Sequence, residues 1–242
     1  MIRLIHGEIY RLLHKKSMYI YLCALATGYF ALSFIRSGGF GENSVVSDAM
    51  TMFSLLPALA GGFLFAAIYT DDLNSKNLIT LVGYGVNRFT VVLVKFILMA
   101  LFGAALFGLV PVYHCAVYAL LGRVASASMA ATIYAVSFKY LLVTLVYSAL
   151  SGIVVYGLQR ATFAIVTYLL LAFGVVGSLI SVAFQMFAPS LIGHLVPGVT
   201  DRILLGMLSG GSLTLPVIEY LAYTLAGLAL SALAFFKKEM EF

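Results

Sequence analysis

Lys139 and Glu219 are the two charged side chains inside otherwise apolar runs, and chemistry is sought there first. An ionised group in a bilayer-length segment ordinarily faces a partner charge or a wet cavity. Each lies about four to seven residues from the outer end of its run, under two helical turns deep. Two outcomes are expected: a Lys139–Glu219 pair that lines or gates a substrate path, or two side chains reaching the outer interface. His194 is a candidate for lining the same path, against the plainer role of a packed surface histidine. Asp71 and Asp72 are adjacent, with no histidine or cysteine beside them, which makes a poor metal site. His6 and His14 read as polar-face residues. His114 reads as a packing or hydrogen-bonding group between helices. Cys23 and Cys115 lie in apolar runs and read as small hydrophobes rather than disulfide or metal ligands. No catalytic or metal-ligating set is therefore expected. The phosphate loop Gly-x-x-x-x-Gly-Lys-Ser/Thr is missing, as are His-Glu-x-x-His, Gly-x-Ser-x-Gly and Cys-x-x-Cys.

The elements that must hold these groups follow from composition. The chain has 242 residues, 63% hydrophobic and 10% charged. Soluble domains use about 45–50% apolar and about 25% charged residues, so a water-facing surface could not be covered. Mean hydropathy is +1.08. The net charge of +5 suits cytoplasmic loops of a membrane protein better than nucleic-acid binding, so no nucleic-acid partner is expected.

A bilayer core needs about 20 apolar residues in helix, and helix is the form that satisfies its own backbone in lipid. The pattern predicts an all-α membrane protein with six spans, at about 18–35, 50–69, 91–121, 133–158, 161–184 and 215–236. With the N-terminus inside, Arg3, Arg11, Lys15, Lys16, Lys76, Arg88, Lys95, Arg160, Lys237 and Lys238 are cytoplasmic, while Arg36, Arg123 and Arg202 are outside. The positive-inside rule then puts both termini in the cytoplasm, with residues 237–242 as a short tail. The first span is expected to be retained rather than cleaved as a signal.

Residues 1–17 form an expected amphipathic interfacial helix. Ile2, Ile5, Ile9, Leu12 and Leu13 fall on one stripe, interrupted by Leu4, with Arg3, Arg11, His14 and Lys15 opposite. Small residues four apart, Ala58/Gly62, Ala104/Gly108 and Ala222/Ala226, suggest close helix packing. Residues 185–214 are too apolar for a solvated loop and are expected to dip back as short outer helices. The link at 70–88 begins with Thr70 as a helix cap and Asp71 and Asp72 at its positive end. It continues with an apolar side, then Gly83 and Gly85 as breakers. By physics alone this is an ordinary solvated loop followed by a snorkelling Lys95.

An acidic residue, a short apolar helix, a glycine-bearing turn, Val-Asn-Arg and a lysine seven residues on together resemble the permease subunits of ABC type-2 transporters. The likeness is greatest to the small permeases of bacterial peptide-antibiotic resistance and lantibiotic immunity. Asp72, Asn74, Lys76, Asn77, Gly85, Asn87, Arg88 and Lys95 carry the resemblance. The layout also matches: an amphipathic start, six spans and outer re-entrant helices before the last one. The resemblance implies that Asp72 to Arg88 is a coupling helix docking onto a separate ABC ATPase subunit, with Asp71 beside it. It implies a second permease subunit, the same or related, a bacterial cell-membrane location, and no cofactor in this chain, ATP and Mg being held by the ATPase. The cargo would be an amphipathic peptide, antibiotic or lipid-like molecule. The competing expectations are a secondary transporter or channel, and a membrane scaffold that transports nothing. Membrane lipid is a partner in all three.

Overall fold

The computed structural model describes residues 2–37, 44–70, 73, 82–123 and 125–237. Helices account for the regular structure of these residues, and no strand occurs among them. The order is α1 (Ile2–Leu13), α2 (Lys16–Ser37), α3 (Ser44–Phe53), α4 (Arg88–Leu120), α5 (Ala127–Leu158), α6 (Ala161–Ala172), α7 (Val175–Phe187), α8 (Val196–Ser209) and α9 (Thr214–Lys237). Beyond α3 the chain continues through π-helical Pro57–Gly61, an α-turn at Gly62–Phe65 and π-helical Ala66–Thr70. A 3-10 turn, Pro189–His194, precedes α8.

Five helical stretches are long and apolar enough to cross a membrane: Lys16–Ile35, Val45–Tyr69, Arg88–Leu120, Ala127–Leu158 and Thr214–Lys237. The pair α6 and α7 makes a sixth if it is one span, though it bends by 54°. Gly174 makes that bend, with φ of +74°, a backbone state that glycine enters without strain. The stretch expected as one continuous fifth span at 161–184 is thus bent at Gly174, and no residue of α7 is buried. The outside of the bundle is apolar, with Ile20, Leu32, Ile35, Leu109, Leu179 and Leu225 all exposed. This many exposed apolar side chains suits helices that face an apolar medium.

α5 is the central post, packing on α9, α4, α6 and α8. One core cluster, with Leu12, Phe65, Leu98, Tyr156 and Phe235, lies toward the end that carries both termini. A second, with Tyr29, Phe53, Phe107, Tyr118 and Ile133, lies toward the opposite end. The amphipathic helix α1 is part of the first. Leu4, Ile5 and Ile9 pack on that core and Leu12 enters it. Leu13 is 45% exposed. The buried stripe therefore includes Leu4 and excludes Leu13, because positions 4, 5, 8, 9 and 12 share one helical face.

Of the three small-residue pairs, one marks close packing: a Cβ on Gly62 would stand 3.2 Å from the Leu169 side chain. Ala104, Gly108, Ala222 and Ala226 are exposed, while Ala58 and Gly62 are buried. Another tight contact is between α5 and α9. A Cβ on Gly227 would stand 3.0 Å from the carbonyl carbon and Cβ of Ala149. Beside it, the Ser231 hydroxyl donates to the Ala149 carbonyl at 3.1 Å. A Gly227→Val substitution should therefore force these helices apart, at about 1–3 kcal/mol. Thermal unfolding of the purified chain in detergent should show a lowered midpoint for it, and none for Gly108→Val, whose Cβ would meet nothing within 4 Å.

Candidate functional site

At the end of the bundle carrying the termini, Lys95 is 2% exposed, two turns into α4. Its Nζ lies 3.0 Å from Glu8 Oε2 of α1. Arg11 donates to the same carboxylate at 2.7 Å. An enclosed ammonium needs a counter-charge, and α1 is held against α4 to provide it. The snorkelling expected of Lys95 is replaced by this interhelical pair.

Arg88 opens α4 and reaches the far terminus. Its Nη1 donates to the carbonyls of Phe235 at 2.6 Å and Phe236 at 3.1 Å. The guanidinium also lies over the Phe235 ring, 5.4 Å from its centroid. The last carbonyls of a helix lack intrahelical donors and carry its negative end, so a cation is well placed there. Asn87 caps α4 by accepting from the Phe89 amide at 3.0 Å. Gly85 turns the chain into this cap with φ of +79°. Three of the residues carrying the resemblance thus have local roles as turn, cap and tie. Asp71, Asp72, Asn74, Lys76 and Asn77 lie outside the described residues.

At the opposite end, Lys139 of α5 forms an ion pair with Asp201 of α8, and its Nζ stands 4.9 Å from the Tyr140 ring centroid. Glu219 of α9 is held by Arg202 of α8 and by His194 Nδ1 at 3.0 Å. Arg202 also donates to the Gly193 carbonyl at 2.9 Å. The Tyr223 hydroxyl donates to the His194 carbonyl at 2.8 Å. The expected Lys139–Glu219 pair is not formed. α8 packs on both α5 and α9, and its consecutive Asp201 and Arg202 answer the two spans separately. His194 and Glu219, both singled out from sequence, are brought together.

A third group was not evident from sequence. Asp48 is 2% exposed within the span Val45–Tyr69 and accepts from the Tyr118 hydroxyl at 2.6 Å. Its neighbour His114 bonds the Val45 carbonyl through Nε2 at 3.0 Å and the Tyr29 hydroxyl through Nδ1. Starting the second span at Met50 left Asp48 in a loop. The Val-Val-Ser-Asp-Ala-Met run before Met52 was the available signal, since Val45, Ala49 and Met52 share one buried helical face. Lys139 and Glu219 are therefore not the only charges within the long apolar helical stretches.

No protein-family model matches the chain, and no curated protein does.

Two outcomes are expected. Glu8→Ala should remove the carboxylate that faces the enclosed Lys95 and destabilise the chain by about 1–3 kcal/mol. A Glu8→Leu/Lys95→Met double variant should lose less than either single change in detergent unfolding. At the other end the Lys139–Asp201 pair is half in solvent, with Asp201 52% exposed, so its removal should cost only about 0–1 kcal/mol. Its role is geometric. Lys139→Asp should loosen α8 and speed proteolysis near residues 195–214 at low salt, and adding Asp201→Lys should restore protection.

Proposed function

We propose that this chain is the permease subunit of an ATP-driven exporter of the ABC type-2 class, working as a pair of permeases with two separate ATPase subunits. In this reading α6 and α7 form one broken span, giving six, and both termini are cytoplasmic. Residues 185–214 form a re-entrant outer segment, and the cargo is an amphipathic peptide, antibiotic or lipid-like molecule.

One arrangement supports this most. The link at 70–88 runs directly into Arg88, which holds the end of α9. Two turns on, Lys95 holds α1. A push on the link is therefore delivered to α4, α9 and α1 together rather than absorbed by one helix. Coupling of ATPase closure to rearrangement of the spans needs such a stiff, branched foot. At the far end, α8 bridges α5 and α9 through charges that can exchange partners or water, as an outward gate would.

Co-expression with a candidate ATPase tests this. Asp72→Lys is the informative variant, because Arg88 is engaged within the bundle and its loss would confuse coupling with stability. Native chain should co-purify with the ATPase and alter its ATP turnover. Asp72→Lys should insert normally yet lose the complex or the coupled turnover. Unchanged association and turnover would remove the coupling role from this stretch. A native chain that binds no ATPase would favour a channel or scaffold.

A further inference from the structure

We propose that His114 is a proton-binding site that fastens α2 to the bundle, and that taking up a proton releases α2. The inference stands on the geometry of this chain alone and does not depend on coupling to an ATPase.

The His114 ring is fully enclosed. Its Nε2 faces the Val45 carbonyl at 3.0 Å, which can only accept, so Nε2 carries the hydrogen. In the neutral ring Nδ1 is then bare, and the Tyr29 hydroxyl donates to it. Tyr29 belongs to α2, Val45 to α3 and His114 to α4, so one imidazole joins three helices. A proton added at Nδ1 turns the acceptor into a donor. The Tyr29 hydroxyl would have to accept instead, and its own hydrogen would lose the ring as its partner. The same proton puts a positive charge at an enclosed site.

The surroundings set what can answer that charge. From α3 comes Asp48, already accepting from Tyr118, whose ring centroid is 4.6 Å from that of His114. From α4 come Tyr113, Cys115 and Tyr118, and from α2 Tyr29. From α3 also comes the Phe53 ring, 5.5 Å away, and the core cluster next to it includes Ile133, Val136 and Tyr140 of α5, the last beside Lys139. Asp48 makes the proton admissible, while the inverted Tyr29 bond makes the closed arrangement unfavourable once it has entered. Outward movement of α2 takes the Tyr29 hydroxyl away from Nδ1 and so relieves the inverted bond, leaving Asp48 as the near counter-charge.

α2 is the helix that the release would move. It is peripheral, and its ties to the rest are few. They include Tyr29 to His114, Tyr113 donating to the Ala26 carbonyl at 2.8 Å, and Tyr21 donating to the Leu59 carbonyl at 2.6 Å. Between α2 and the following span lies a half-open apolar cavity of about 290 Å³, lined by Tyr21, Gly28, Tyr29, Met52 and Leu56. Tyr29 is thus both a wall of this cavity and the hydrogen-bond donor to the switch.

The test uses the full chain in lipid nanodiscs. Spin labels are placed at Leu32→Cys and Leu109→Cys, two exposed positions on α2 and α4, in a Cys23→Ala/Cys115→Ala background. Between about pH 8 and about pH 4, the lower value set well below the ordinary histidine range, the native label separation should lengthen. His114→Gln should keep one distribution at both pH values, and Tyr29→Phe should show the acid-like distribution already at about pH 8. A native separation that ignores pH, or one that lengthens equally in His114→Gln, overturns the proposal. Nitrogen-15 spectra of ring-labelled histidines, assigned by the signal absent in His114→Gln, give a second readout that needs no folded mutant bundle beyond that comparison. A bare Nδ1 at neutral pH is expected, and the opposite tautomer overturns the proposal.

Discussion

A charge carried into an apolar medium must find its counter-charge in the protein, because lipid offers none. The bundle is organised by that constraint. Lys95 is met by Glu8, Lys139 by Asp201, and Glu219 by Arg202 and His194. In each case the partner arrives on a different helix. The charges therefore decide which helices sit together at each end, while the apolar core fills the space between. α1 is placed beside α4 by Glu8 as much as by Leu12, and α8 is placed across α5 and α9 by two neighbouring residues of opposite sign.

The middle of the molecule works differently. α5 and α9 meet at Gly227, Gly152 and Ser231 with backbone contact close enough to exclude a side chain. Lipid competes for apolar surface as well as another helix does, so intimate packing and an interhelical hydroxyl bond must supply the preference. Rigid packing there and partner-dependent charges at the ends make a body whose ends can change contacts while its centre is kept. α2 is peripheral to that centre and is tied to the bundle chiefly through tyrosines.

A good part of this was legible in the residues. Apolar run lengths gave the helical class and the positions of the long helices, because a bilayer imposes a length on any segment that spans it. The periodicity of 2–13 gave an amphipathic α1. Errors arose where local pattern does not report the neighbour. The Ala104/Gly108 and Ala222/Ala226 spacings are as regular as any, yet they face outward, since spacing gives a helical face but not which face is covered. Asp48 was missed because hydropathy windows trim a span at its first charge, whether or not that charge is buried. Lys95 read as a snorkelling residue because its partner lies 87 positions away in sequence.

What the sequence determined by itself was the class: a chain 63% hydrophobic and 10% charged suits helices in an apolar medium, where the backbone has to satisfy itself. It also determined local punctuation such as the turn at Gly85, which depends on residues a few positions apart. Only the tertiary structure decided which charge answers which, where α6 and α7 bend apart, and that His114 joins three helices through one ring. Those outcomes rest on contacts between residues far apart along the chain, and no periodicity or composition encodes the partner of a buried charge.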